Sequence, residues 1–471
     1  MKLRNLTFGA LLLCALLVGA YAEEEAGSGF DFGLGITLGA QSFPNPAYTG
    51  TGDEPPSLTY QSIGLTPDLA IGKLGFGLDL TLNYRFTGGE DNNDFEIRRE
   101  DWIPDENTNF LELYLPRIRY VRWGVKGDPL FIKFGSFDDG TLGNGFIMGN
   151  YANTQRLPER RIFGMGLDMD GVLFNFPYVG IETFAGNLAA FDVIGGRVFV
   201  RPLVGTSIPI IRNLQIGGSL VVDRDPFYFA QKDLGDEAAT VIAGLLPSGV
   251  TQEEASVLVY GGDFRLPILS TGIISLAGFG DFVMQRSNMG GMLGVGGRLF
   301  GIMTYGAQLR MLGANFIPVY FDGAYDLFRP FKYAVYAGVP GYTTDPYTGW
   351  FASAGFSLLD DQLVFSANVD GPFRGAASDD LFKLPHLLAT FRLEEGILGG
   401  FSFDASYDKR GIETLRDLLS AENAVIGARV NYRIESAVIS LVYDLEYVPF
   451  PDAGEDHWII TSGIESAISL F

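Results

Sequence analysis

From Leu74 to Phe86 the chain alternates without a fault. Leu74, Phe76, Leu78, Leu80, Leu82, Tyr84 and Phe86 take one set of positions, and Gly75, Gly77, Asp79, Thr81, Asn83 and Arg85 take the other. A period of two places successive side chains on opposite faces of a strand. Here one face is apolar throughout and ends in two aromatics, while the other carries both signs of charge. A strand whose faces meet such unlike solvents suits a wall with lipid outside and water inside, ending on aromatic residues at the membrane boundary.

The same chemistry recurs. Leu363, Phe365, Ala367 and Val369 alternate with Val364, Ser366, Asn368 and Asp370, and Phe401, Phe403, Ala405 and Tyr407 with Ser402, Asp404, Ser406 and Asp408. Leu387 to Glu394, Val425 to Ile434 and Ile439 to Tyr447 follow the same rule. Short turns, near Ala70 to Lys73, Lys126 to Pro129, Asn175 to Tyr178, Gly205 to Arg212, Pro267 to Thr271, Leu299 to Gly301, Asp360-Asp361, Glu394 to Ile397 and Ile434 to Ser436, are separated by longer polar connections. These include Gln41 to Ser57, Thr87 to Thr108, Phe137 to Arg160, Asp223 to Ala255, Gly313 to Gly349 and Gly371 to Leu384. Tight turns at one end and long loops at the other are the rhythm of a transmembrane antiparallel β-barrel, an all-β fold, here of about 20 strands with 16 to 22 compatible.

The start of the chain reads as an export signal. Lys2 and Arg4 precede the apolar run Leu6 to Val18, and Ala20-Tyr21-Ala22 offers a small-x-small cleavage site. Residues 1–22 are expected to be removed, leaving a single barrel domain over 23–471. The one cysteine, Cys14, falls within the signal, so the mature chain has no disulfide, thiolate metal site or cysteine nucleophile. With 62 glycines and 13% aromatics, the composition is that of closely packed strands. No cofactor is called for. The net charge of −23 argues against a nucleic-acid partner. It resides in acidic runs such as Glu90-Asp91-Asn92-Asn93-Asp94, Asp379-Asp380 and Asp452 to Asp456, all between strand candidates.

Three stretches break the pattern. Leu111, Leu113 and Leu115 fall out of step with Ile118 and Tyr120 around Pro116, which predicts a bulge. Tyr333 to Val339 reads as a strand or as part of an external loop. Counting back from Phe471, the apolar alternation meets Ser469, Ala467 and Glu465, while Ile464, Ile468 and Leu470 share the other face.

Candidate functional residues follow from parity. Asp79, Arg85, Arg117, Arg119, Arg197, Arg201, Arg392, Asp404, Arg429, Arg433, Asp444 and Glu446 occupy polar strand positions and are expected to line the pore. A basic sector from Arg117 to Arg201 would face Asp404, Asp444 and Glu446 across the lumen, making a transverse field that orients polar solutes. Asp223 to Ala255 is predicted as a partly helical loop, with helical composition over Asp236 to Leu246 and a capping box at Thr251 to Glu254. Lumen constriction and an external cap both remain open for it. The Gly-rich Thr141-Leu142-Gly143-Asn144-Gly145 lacks the Gly-Lys-Ser/Thr of a phosphate cradle and predicts a packed loop. Aromatics in Asn315 to Arg329 offer either a binding surface or loop packing. His386 and His457 stand in no recognisable catalytic constellation, so no enzyme is expected.

As a whole the chain resembles the bacterial outer-membrane porins. The resemblance rests on signal, alternation and loop rhythm, and Phe471 matches the terminal residue of such barrels. It implies passive diffusion of small hydrophilic solutes, a setting of outer-membrane lipid and lipopolysaccharide, and insertion by periplasmic chaperones and the barrel assembly machinery. Trimers are common among such proteins. The alternatives are a hydrophobic-compound or substrate-specific transporter and a non-conducting structural or adhesive barrel. Asn45-Pro46-Ala47 matches a short motif of the long-chain fatty-acid channels, although that family carries it in a plug.

Overall fold

The computed structural model describes residues 30–45, 55, 57–89, 92–104, 108–156, 160–234, 238–359, 362–374, 384–414, 416–420, 422–434, 437–447 and 458–469. The export signal with Cys14, the Pro46-Ala47 part of the short motif, the Asp360-Asp361 turn, the acidic runs at Asp379 and Asp452, His457 and Phe471 lie outside them.

The strands form one antiparallel sheet that closes on itself. The first, Phe30–Pro44, pairs with its successor Ser57–Ile71 and also with the last, Trp458–Ser469. Leu74–Leu78 and Leu80–Gly89 share one position in the wall, as do Asn92–Ile97 and Ile118–Trp123, so 22 strand segments make a 20-strand barrel. Closure leaves no edge, the condition for a sheet in lipid.

Parity assigns the faces. Val198, Val200, Leu258, Tyr260, Leu293, Val295, Leu309 and Met311 are exposed on the outside, while their neighbours Val259, Met292 and Arg310 are buried inside. Ile464 lies opposite Leu441, and both are exposed, so Ile464 faces outward. Leu266 to Gly280 is strand, turn and strand: Val257–Ser270 pairs with Ile274–Gln285, the turn closed by Thr271, whose hydroxyl donates to the Ile274 carbonyl at 2.9 Å.

The structure departs from the sequence reading in five places. The Leu74 to Phe86 strand breaks at Asp79, whose N–H leaves the ladder for the Arg117 carbonyl at 2.8 Å. Thr87 to Thr108 is not all loop. Leu80–Gly89 runs on and pairs with Asn92–Ile97, whose acidic residues are no obstacle to a backbone ladder. Leu111 to Leu115 is not strand but a helical turn, Phe110–Tyr114, capped by Asn109, whose side chain accepts from the Leu111 and Glu112 amides. Pro116 sits in a 3-10 turn, and the register slip falls between Ile118 and Tyr120, leaving Arg119 as the extra residue. Tyr333 to Val339 is not a strand: helix Tyr325–Ala337 spans most of it, ending on Gly338 at φ 72°. The expected turn at Glu394 to Ile397 moves to Gly399-Gly400, because His386–Leu398 continues past a register irregularity after Leu393.

Strands from Ile118–Trp123 to Val193–Val200 are only six to eight residues long, against 12 to 14 in the Val257–Leu299 sector. The first segment to turn into the lumen leaves this short wall.

Candidate functional site

After Leu130–Gly135 the backbone folds inward and doubles back. Gly140 and Tyr151 exchange hydrogen bonds at 3.0 and 2.9 Å, and the Leu142 amide donates to Met148 at 3.1 Å. The tip, Gly143 to Gly145, crosses the barrel. The Gly143 amide donates to Glu182 at 2.8 Å, and the Asn144 amide donates to Asp281 at 2.9 Å and to the Phe264 carbonyl at 3.1 Å. Gly143 has φ 58°, and a Cβ there would stand 2.9 Å from the Arg197 side chain. Only glycine meets both demands. This is the packed loop that the glycine-rich run predicted.

A second segment, between Met303–Leu312 and Tyr347–Leu358, packs on the first. Phe146 stacks on Phe316 with centroids 5.9 Å apart, and Phe316 fills the space over Gly290. Gln285 holds Ile317 by both its backbone groups, at 2.9 and 2.6 Å. Tyr320, Phe321 and Tyr325 are fully buried, so this aromatic cluster is packing and not a surface. The Asp223 to Ala255 loop carries helices Tyr228–Leu234 and Ala238–Leu245, and its capping box at Thr251 is formed. Ala238, Ile242 and Leu245 join the same core as Phe146, Tyr333 and the inward wall residues Val221, Val257 and Val259. One side of the loop end of the lumen is thus filled by a hydrophobic core.

One buried cation pins this plug. Arg329 donates to Asp223 at 2.7 and 2.9 Å and to Asp192 at 2.8 Å, with Tyr325 adding a bond to Asp223 at 2.6 Å. The neighbouring Asp326 accepts from Tyr151 at 3.0 Å, and burial pushes its carboxyl up to about 7.

Two cavities stand out among the described residues. One, of about 850 Å³, lies towards the loops and is lined by Phe316, Arg310, Asn368, Asp370, His386, Asp408 and Arg410, among others. The other, of about 730 Å³, lies towards the turns and is lined by Arg265, Ser270, Thr271, Phe279, Arg298 and Thr304, among others. Thr141, Asn144, Gln308 and Phe351 line both. The cavities therefore abut at an eyelet made of a hydroxyl, two amides and an aromatic ring, backed by two charged side chains: Asp281 accepts from Asn144 at 2.9 Å, and Arg310 donates to Gln308 at 3.0 Å and lies 4.5 Å over the Phe351 ring.

Above the eyelet the wall carries a chain of opposite charges. Arg310 contacts Asp370 at 3.1 Å, His386 bridges Asp370 at 3.3 Å and Asp408 at 2.8 Å, and Arg410 approaches Asp408 at 4.0 Å.

The sequence-selected residues sit elsewhere on the wall. Asp79 pairs with Arg161 at 2.6 Å, Arg85 with Glu96 at 2.7 Å, Arg201 with Asp170 at 2.5 Å and Arg392 with Asp404 at 3.1 Å. Arg119 pairs with Asp68 and Arg433 with Glu395. Arg117 stacks on Trp102 and donates to the Asp101 carbonyl. Arg197, 3% exposed, is held by Asp263 at 2.6 Å and Glu182 at 2.8 Å. Arg429 is exposed opposite Asp404, and the Asp444 and Glu446 side chains lie outside the described residues. None of those with described side chains lines either cavity. Sequence reasoning missed the eyelet and the Arg329 clasp. Gln308 and Phe351 were open to the same parity argument, but Asn144 and Arg329 reach the lumen from loops, where parity is silent.

A closed barrel with an apolar outer face, tight turns at one end and infolded loops at the other defines a porin-like β-barrel of the outer-membrane type. No protein-family model matches the sequence, and a comparison with curated proteins found no match. Solved structures with a similar course are remote. Wzi of Escherichia coli, a carbohydrate-binding β-barrel involved in group 1 capsule assembly, is 12% identical over 94% of this chain and 84% of its own, with TM-score 0.32. OccAB3 of Acinetobacter baumannii is 12% identical over 93% and 99%, TM-score 0.32, and OprD of Pseudomonas aeruginosa 12% over 96% and 99%, TM-score 0.31.

Proposed function

We propose that this chain is an outer-membrane channel for the passive diffusion of small hydrophilic solutes, exported by its N-terminal signal. The observation that carries the reading is the meeting of the two cavities at Thr141, Asn144, Gln308 and Phe351. Open space thus reaches the eyelet from the loop side and from the turn side. An eyelet whose own groups are amides and a hydroxyl lets a polyhydroxylated solute exchange its water hydrogen bonds one for one, so that little free energy is lost on passage. The paired wall arginines brace the barrel. Outer-membrane lipid surrounds it, and the barrel assembly machinery inserts it.

A closed, non-conducting barrel is the second reading, favoured by the buried core at the loop end and the Arg329 clasp. Swelling of liposomes that contain the refolded protein separates the two. Entry rates that fall steeply with solute size support the channel, and equal, protein-independent rates contradict it.

A further inference from the structure

The turn-side cavity holds a charge imbalance that passive diffusion leaves unused. Its described lining includes two guanidinium groups, Arg265 and Arg298, and no carboxylate. Arg265 follows the buried, inward Asp263 by two residues on Val257–Ser270 and so shares its face. Arg298 lies opposite Ser275 on Asn288–Leu299, in step with the inward Met292 and out of step with the exposed Leu293 and Val295. Both side chains are exposed to the lumen, and among the described residues neither has an ion-pair or hydrogen-bond partner. That sets them apart from Arg197, Arg201 and Arg310, each of which answers a carboxylate within 3.1 Å.

A guanidinium offers five donors in a planar fork and accepts nothing, so its best partner is an oxyanion. The hydroxyls of Ser270, Thr304 and Ser353 and the Gln308 amide line the same space. Arg265 and Arg298 are the only charged side chains in the described lining, so they are the nearest fixed charges to a solute in this cavity. A cleft of one sign with low-dielectric walls concentrates counter-ions. We propose that the turn-side cavity is a binding site for small oxyanions, solutes bearing a carboxylate or phosphate, and that Arg265 and Arg298 give the channel a preference for anions. The anion preference rests on the channel reading; the binding site does not.

The test compares the refolded protein with the double variant R265Q/R298Q, whose altered side chains hold no other part of the wall. In planar bilayers under a potassium chloride gradient, the reversal potential should report chloride passing about fivefold or more over potassium, falling to near parity in the variant. Inorganic phosphate and succinate, added separately to the chamber facing the turns, should each reduce the current, and glycerol should not. Reduction by only one of them identifies the oxyanion type. Equal permeability in the native protein, or selectivity unchanged in the variant, overturns the preference. Line broadening of the phosphorus resonance of inorganic phosphate by the detergent-solubilised protein needs no open pore. Broadening by the native protein and not by the variant supports the site even if no current flows, in which case only the channel reading fails. No broadening by the native protein overturns the site.

Discussion

Arg329, on a helix inside the barrel, meets Asp223, the last residue of a wall strand, through two parallel hydrogen bonds of 2.7 and 2.9 Å. The arginine is 1% exposed and the aspartate 0%, and Asp192 closes the other side of the guanidinium. Removing one partner of such a pair strands the other in a dry site, at a cost of about 3–5 kcal/mol. Arg329→Leu is therefore expected to undock the plug while leaving the barrel folded. Limited proteolysis should nick the variant between Leu312 and Tyr347, where the native protein resists, with the β-sheet circular dichroism unchanged. Equal resistance in both would show that Arg329 does not anchor the plug.

The plug should also respond to pH through Asp326. Burial raises its carboxyl from an ordinary value of 3.8 to about 7. A group whose pKa is higher in the docked state favours docking fully below its free value, and that contribution is lost as pH rises through the docked value. Docking supported by Asp326 is thus strongest below about pH 4 and fades towards pH 7 and above. Hydrogen exchange of the Tyr325–Ala337 amides, corrected for intrinsic rates, should accelerate between pH 6 and 8. Asp326→Asn, which keeps an acceptor for Tyr151 without titrating, should flatten that rise.

Much of this fold was legible because a barrel wall is local. Leu309 faces lipid and Gln308 the eyelet for no reason beyond parity, and the turn at Thr271 follows from residues adjacent in the chain. The interior was not legible because its contacts are remote in sequence. Asn144 reaches Asp281 across 137 residues, and Arg329 reaches Asp192 across the same interval. The helical turn at Phe110–Tyr114 escaped because a run of alternate leucines reads as strand unless the Asn109 cap is weighed against it.

Adjacent residues supply a sharp check on that parity. A charge on the lipid face near the membrane midplane costs about 2–4 kcal/mol, whereas the lumen face tolerates it. Leu309→Arg should lower the urea midpoint for unfolding from bilayers, and Gln308→Arg should leave it near the native value. The reverse result would turn this strand inside out.

The loop tip at Gly143 sets the eyelet. Gly143→Val places a branched side chain at φ 58° and against Arg197, a strained backbone that costs of order 1–3 kcal/mol. The tip should lift, releasing Asn144 from Asp281. Larger sugars should then enter liposomes that exclude them with the native protein. An unchanged size limit would mean that the tip does not form the constriction.

The channel reading is tested most directly by single-channel recording of the refolded protein in a planar bilayer. Stable ohmic steps that grow when Asn144 is replaced by alanine are the result expected of a pore narrowed at Thr141, Asn144, Gln308 and Phe351. A correctly folded barrel that never conducts, with either residue at position 144, would contradict it.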